Sequence, residues 1–123
     1  MNAMSNDYAD RFLATTYADD QPVCLSVSTR NRSDRQTVCL PESLFVRAQA
    51  IARAYNLHLL PTIELYGETS LLKDQCATLM AELSFVSEVV NDDLLAHHLR
   101  EVLQVVRACA DCAGPAAVLF EGP

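Results

Sequence analysis

Leu72–Asp111, LKDQCATLMAELSFVSEVVNDDLLAHHLREVLQVVRACAD, is the stretch on which the fold turns. Its apolar residues recur in steps of three and four. Cys76, Leu79, Met80, Leu83, Val86 and Val90 form one series, and Leu95, Leu99, Val102, Leu103, Val106 and Cys109 a second. Such steps lay a single apolar stripe along an α-helix, so they predict one helix over about 72–90 and another running to about Asp111. Thr69 or Ser70 suits the cap of the first helix. Asn91 breaks the pattern and can cap the second, whose first turn carries Asp92 and Asp93 at the positive end of its dipole. Two helices joined by about one residue must lie antiparallel.

The flanks of this pair read as strands. Upstream, Pro61 marks a break and Thr62–Tyr66 (TIELY) alternates, with Ile63 and Leu65 opposed to Glu64 and Tyr66, until Gly67. Downstream, Gly114-Pro115 forces a turn and Ala116–Phe120 forms a short apolar strand. An even number of helices returns the chain to the end it left, so the closing strand is expected to run antiparallel to Thr62–Tyr66. Earlier still, Pro22–Arg30 (PVCLSVSTR) alternates as a half-buried strand, with Val23, Leu25 and Val27 on one face. Gln36–Leu40 reads as its hairpin partner across the polar RNRSDR loop. After Pro41, Ser43 is a plausible cap for a helix over 44–55, with Leu44, Ala48, Ile51, Ala52 and Tyr55 inward and Asn56 suited to its end. Asp10–Tyr17 reads as a short helix on Phe12 and Leu13, and the first nine or so residues as frayed. The fold class is α+β: one domain over 1–123, a mostly antiparallel sheet packed by a helix and a C-terminal helical hairpin.

Composition bounds the function. At 123 residues, half of them hydrophobic and a fifth charged, the chain reads as globular rather than disordered. All of its formal net charge of −7 falls from Thr62 onward, where ten acids face only Lys73, Arg100 and Arg107; before that, six arginines balance six acids. Such a surface disfavours nucleic acid and anionic lipid as partners. No basic stretch followed by an apolar run opens the chain, and no apolar run approaches the ~18 residues of a membrane span. Five cysteines without a secretory signal read as reduced thiols, which places the chain in the cytoplasm. Walker A, GxGxxG, GxSxG and HExxH patterns do not occur, so the expectation is a non-enzyme without cofactor or metal.

Three constellations carry some chemistry. Cys109-Ala-Asp-Cys112 resembles a redox or zinc half-motif, but it ends a helix, where the dipole raises a thiol pKa, and no second CxxC or HxxxH accompanies it. Cys24 and Cys39 fall near opposite positions in the hairpin and could oxidise, though packed free thiols are the plainer expectation. His97, His98 and Glu101 share a helix turn, yet they sit in a polar stripe that surface pairs such as Asp93–His97 and Arg107–Asp111 explain as well. His58 has no obvious partner, and Arg30, Arg32 and Arg35 read as a solvated loop.

The acidic helix face is the remaining feature. Asp74, Thr78, Glu82 and Phe85 recur opposite the core stripe; Glu68 precedes them, and Glu88, Asp92 and Asp93 cluster at the far end. An aromatic anchor within a charged rim is what a partner-binding face shows. A solvated face with Phe85 tucked against a neighbour is the equally weighted alternative.

Small, acidic, motif-free chains of this kind resemble the immunity proteins of bacterial polymorphic-toxin and contact-dependent growth inhibition systems. The resemblance runs from TIELYGET through both helices to AAVLFEGP, about half the chain, with Tyr66, Gly67, Glu68, Thr69, Phe120, Glu121 and Gly122 as landmarks. It implies stoichiometric binding of a cognate toxin domain, often a basic nuclease, and no catalytic residues. The expected partner-binding residues are then Glu68, Asp74, Thr78, Glu82, Phe85, Glu88, Asp92 and Asp93. The alternatives are a thiol or metal protein using Cys109 and Cys112, or a structural subunit that forms a homodimer through its sheet edge.

Overall fold

The structure, a computed structural model, describes residues 20–29 and 37–123. The expected N-terminal fraying, the Asp10–Tyr17 helix and the arginine loop lie outside those residues. In chain order the elements are β1 (Pro22–Thr29), β2 (Thr37–Pro41), α1 (Glu42–Ala54), β3 (Glu68–Leu72), α2 (Cys76–Val89), α3 (Asp93–Ala110) and β4 (Ala116–Glu121). Short 3₁₀ turns at Leu60–Thr62 and Lys73–Gln75 precede β3 and α2. The strands form one antiparallel sheet in the order β2-β1-β4-β3. The protein is α+β.

Period-two alternation explains the sheet's two faces. Val23, Leu25, Leu40, Leu71, Val118 and Phe120 point to one side and share a single core with Leu44, Phe45, Leu79, Leu83, Val86, Leu95, Leu99 and Val102 of the helices. Phe45 meets Phe120 at a centroid distance of 6.1 Å, which ties α1 to the central strand β4. The opposite face carries mostly small or polar residues, Cys24, Ser26, Ala117 and Ser70, together with Leu119.

One expected strand is displaced. Thr62–Tyr66 is not a strand; the residues that pair with β4 are Glu68–Leu72. The antiparallel return inferred from two intervening helices is present, but a later segment supplies it. TIELY has the right alternation, yet its backbone is engaged elsewhere. Gln49 donates its amide to the carbonyls of Leu60 (3.1 Å) and Ile63 (2.7 Å), and the Glu64 N–H is taken by Thr69 Oγ1 at 2.8 Å. Gly67 does not end a strand but joins one: the Gly122 N–H donates to its carbonyl at 2.8 Å. A Cβ on Gly122 would lie 1.6 Å from the Leu65 carbonyl oxygen, so only glycine permits this approach.

Helix ends also depart from expectation in instructive ways. Ser43 does not cap α1; its own N–H is capped by Asp20 Oδ2 at 2.9 Å, from the chain just before β1. That hydrogen bonding, through the Ser43 side chain and backbone, holds the Asp20 carboxyl below its ordinary range. The C-terminus of α1 is a Schellman turn. Asn56 takes φ 58°, its N–H reaches Arg53 O at 3.0 Å, and the Leu57 N–H reaches Ala52 O at 2.9 Å. Tyr55, expected inward, is instead the cap residue and 54% exposed. α2 starts at Cys76 rather than Leu72, because Gln75 folds back to accept the Leu72 N–H at 2.9 Å.

Candidate functional site

Of the eight residues expected to meet a partner, two belong to the interior. Glu82 is 5% exposed. Its carboxylate accepts three backbone N–H groups of the segment leaving α1: His58 at 2.8 Å, Leu59 at 2.9 Å and Leu60 at 2.8 Å. Four residues beyond Thr78, Glu82 lies about 40° further round the helix, on the flank turned toward that segment. Three amides there have no strand or helix to join, and a buried carboxylate is the acceptor that satisfies them. Glu82 and Gln49 thus clamp Leu57–Ile63 between α2 and α1, one taking its N–H groups and the other serving its carbonyls.

Asp92 is the second correction, also 5% exposed. Its Oδ1 accepts the Leu95 N–H at 3.1 Å and caps α3, a role expected of Asn91. Its Oδ2 pairs with Arg47 of α1. A buried aspartate is tolerated because each oxygen has a donor. The ion pair ties the helical hairpin to α1.

The other six remain at or near the surface. Glu68 lies in the edge strand β3, Asp74 in the turn that follows, Thr78 and Glu88 on the open side of α2, and Asp93 in the first turn of α3; all five are exposed. Phe85 is half-buried and packs edge-on against Tyr55, with ring centroids 4.9 Å apart and planes at 77°. Along α2 between Asp74 and Phe85 stand Ala77 and Ala81, both exposed and too small to screen the face, and Val89 is 41% exposed one turn beyond Phe85. The surface that survives therefore runs from the β3 edge along α2 to a Tyr55–Phe85–Val89 apolar patch. Tyr55 reads from periodicity as one of the apolar positions of α1, and Val89 falls outside the core stripe of α2. The only sign in the sequence was that Tyr55 immediately precedes a helix-ending asparagine. Lys73, the one cation at the start of α2, turns its ammonium to the carbonyls of Cys112 and Gly114 instead of to Asp74.

Cys24 and Cys39 are joined in a disulfide, in place of the free thiols expected. They are Cα partners, 4.0 Å apart, in the β1–β2 register. The Glu42 N–H bonds to Gln21 O, which makes residues 21 and 42 a hydrogen-bonded pair and 24 and 39 a non-hydrogen-bonded one, where opposed side chains lie closest. Cys76, Cys109 and Cys112 are free. Burial pushes the Cys109 thiol up to about 12, reinforced by a hydrogen bond with Cys76 from α2. The stripe position of Cys109 is thus a core position.

His97 approaches Glu101 at 3.6 Å on the surface of α3, the pair formed on that stripe. His98 packs more deeply; among the described residues its buried Nδ1 has no hydrogen-bond partner, Glu101 lying 3.9 Å away, and burial pushes its pKa down. Among the described residues no three His, Cys, Asp or Glu side chains come together as a metal site, and no helix is long and apolar enough to cross a membrane.

The segments that carry the family resemblance, TIELYGET and AAVLFEGP, meet in space: Glu68 faces Glu121 and Thr69 faces Phe120. Tyr66 is 71% exposed beside them and donates its hydroxyl to Glu42, which raises its pKa. No family model, characterised protein or solved structure matches the chain.

Proposed function

We propose that the chain is an immunity protein: a non-enzymatic binder that neutralises a cognate, basic, nuclease-type toxin domain. The observation that carries this reading is the Tyr55–Phe85 pair, an aromatic anchor standing half-open between the carboxylates of Asp74 and Glu88. Complementary charge on such a face accelerates encounter by roughly 10- to 10³-fold and makes it sensitive to salt. The partner-binding set is Glu68, Asp74, Thr78, Phe85, Glu88 and Asp93, joined by Tyr55 and Val89. Glu82 and Asp92 support it from inside. The thiol alternative has less behind it, because Cys109 is buried and its thiol held protonated.

A nuclease acts in the cytoplasm, and the reading places the chain there. The Cys24–Cys39 disulfide weighs against a reducing compartment. Mass measurement after alkylation at lysis decides between them.

The functional test begins with the neighbouring gene, expected to encode a large secreted protein with a variable C-terminal domain. Co-expression of that domain with this chain should restore growth and yield a one-to-one complex. Absence of such a neighbour, or a toxin domain that this chain neither binds nor silences, removes the reading.

A further inference from the structure

The sheet ends on β3, and its register says which backbone groups are unused. Gly67 and Gly122 exchange a bond across β3 and β4, so alternate pairs, Thr69–Phe120 and Leu71–Val118, are the hydrogen-bonded ones. The N–H and C=O groups of Glu68, Ser70 and Leu72 therefore point away from β4. Gln75 takes the Leu72 N–H. Among the described residues, those of Glu68 and Ser70 are left without a partner, on two exposed residues. The other edge, β2, ends at Pro41, which has no N–H to offer.

Side chains along β3 specify what would fit. Glu68 and Glu121 are directly opposed at a non-hydrogen-bonded pair, where side chains approach closest and like charges are unfavourable. Neither forms an ion pair among the described residues. Four residues on, Leu72 is 60% exposed and, with Pro115 and Ala116, lines two shallow grooves of about 580 and 350 Å³. Glu68, Ser70 and Leu72 share one face of the sheet.

We infer that β3 is the docking edge for an extended strand of a basic partner. That strand adds antiparallel to Glu68–Leu72, carrying an apolar residue opposite Leu72 and, four positions later, a lysine or arginine opposite Glu68. Glu68 then stands between that basic side chain and Glu121, and the added cation offsets the opposition of the two carboxylates. The Glu68 and Ser70 amides supply the main-chain bonds. A second copy of this chain fits poorly: antiparallel self-pairing about Ser70 sets Glu68 against Leu72 and brings no cation. The inference rests on the proposed function for the partner's charge, and it extends the binding surface from α2 onto the sheet.

The probe is an acetylated, amidated pentapeptide, Leu-Thr-Ser-Thr-Lys, titrated into the full ¹⁵N-labelled chain, with a twin ending in Glu as control. Expected is hydrogen-exchange protection at the Glu68 and Ser70 amides, with the Lys peptide bound about tenfold more tightly than its twin. Ser70→Pro removes an outward N–H without touching the β4 pairing, and it should abolish the protection. Glu68→Lys keeps the strand and should weaken the preference for the Lys peptide. The inference is overturned by unprotected amides, by equal binding of the two peptides, or by a dimer in sedimentation that Ser70→Pro dissociates. Because no toxin enters this titration, its failure beside a successful growth rescue sinks the edge alone, while the reverse sinks the immunity reading.

Discussion

The Leu57–Ile63 segment and the β3 edge both offer backbone groups that no helix or strand satisfies, and the chain treats them in opposite ways. At the first, Glu82 and Gln49 reach in and satisfy the N–H and carbonyl groups within the core. At the second, Glu68 and Ser70 keep theirs toward solvent, and the nearest carboxylates, Glu68 and Glu121, face each other. Acid count alone does not distinguish these regions. What separates them is whether each carboxylate has donors. Glu82 and Asp92 have them from the fold, and Glu68, Asp74 and Glu88 have none among the described residues.

The largest effect that sharpens this contrast is expected at Glu82. Glu82→Leu removes the acceptor from three amides and should cost about 3–5 kcal/mol of unfolding free energy in denaturant titration. Glu88→Leu on the same helix should change it by less than about 0.5 kcal/mol. Equal losses would erase the distinction between clamp and face.

Next in size is reduction of Cys24–Cys39. The bond closes a loop of separation 15 in sequence, so reduction is expected to lower stability by about 3 kcal/mol. The α2 face should keep its chemical shifts under the same treatment, since it lies on the helical side of the sheet. Gln49→Leu follows, leaving the Leu60 and Ile63 carbonyls without a donor at a cost of about 1–3 kcal/mol. Exchange protection should then fall first in residues 57–66, ahead of global unfolding.

Those same residues mark the limit of what the sequence disclosed. The helices were legible because Leu79, Leu83, Val86, Leu95, Leu99 and Val102 repeat with a helical period, and the hairpin because Val23 and Leu25 alternate. TIELY alternates as well as any strand. Its true state depended on Gln49, twelve or more residues away in the chain, and local pattern does not encode that. GETSLL reads as polar because an edge strand buries little, here only Leu71. The site was half legible for a related reason. A helical wheel places Glu82 beside Thr78 but cannot show that α1 leaves three amides over that flank. Asp92 was recognised as a helix-start residue, and what stayed hidden was Arg47.

The smallest effect concerns His98. Burial lowers its pKa, so the unfolded chain holds that proton more tightly than the folded one. The stabilisation is full above the ordinary imidazole value of about 6.5 and is lost as pH falls through the depressed folded value. Thermal scans from pH 7.5 to 5 should show a decline that His98→Gln flattens, while His97→Gln, at the surface, leaves the decline in place.

The division of the acids between core and surface is tested most directly by stopped-flow association with the proposed partner, a toxin domain encoded by the neighbouring gene, across a salt series. The double reversal Asp74→Lys with Glu88→Lys should retain the parent's thermal midpoint and slow association at low salt by about tenfold or more, with the rates converging at high salt. Association as fast as the parent's at low salt would contradict the account and remove the α2 face as the binding surface.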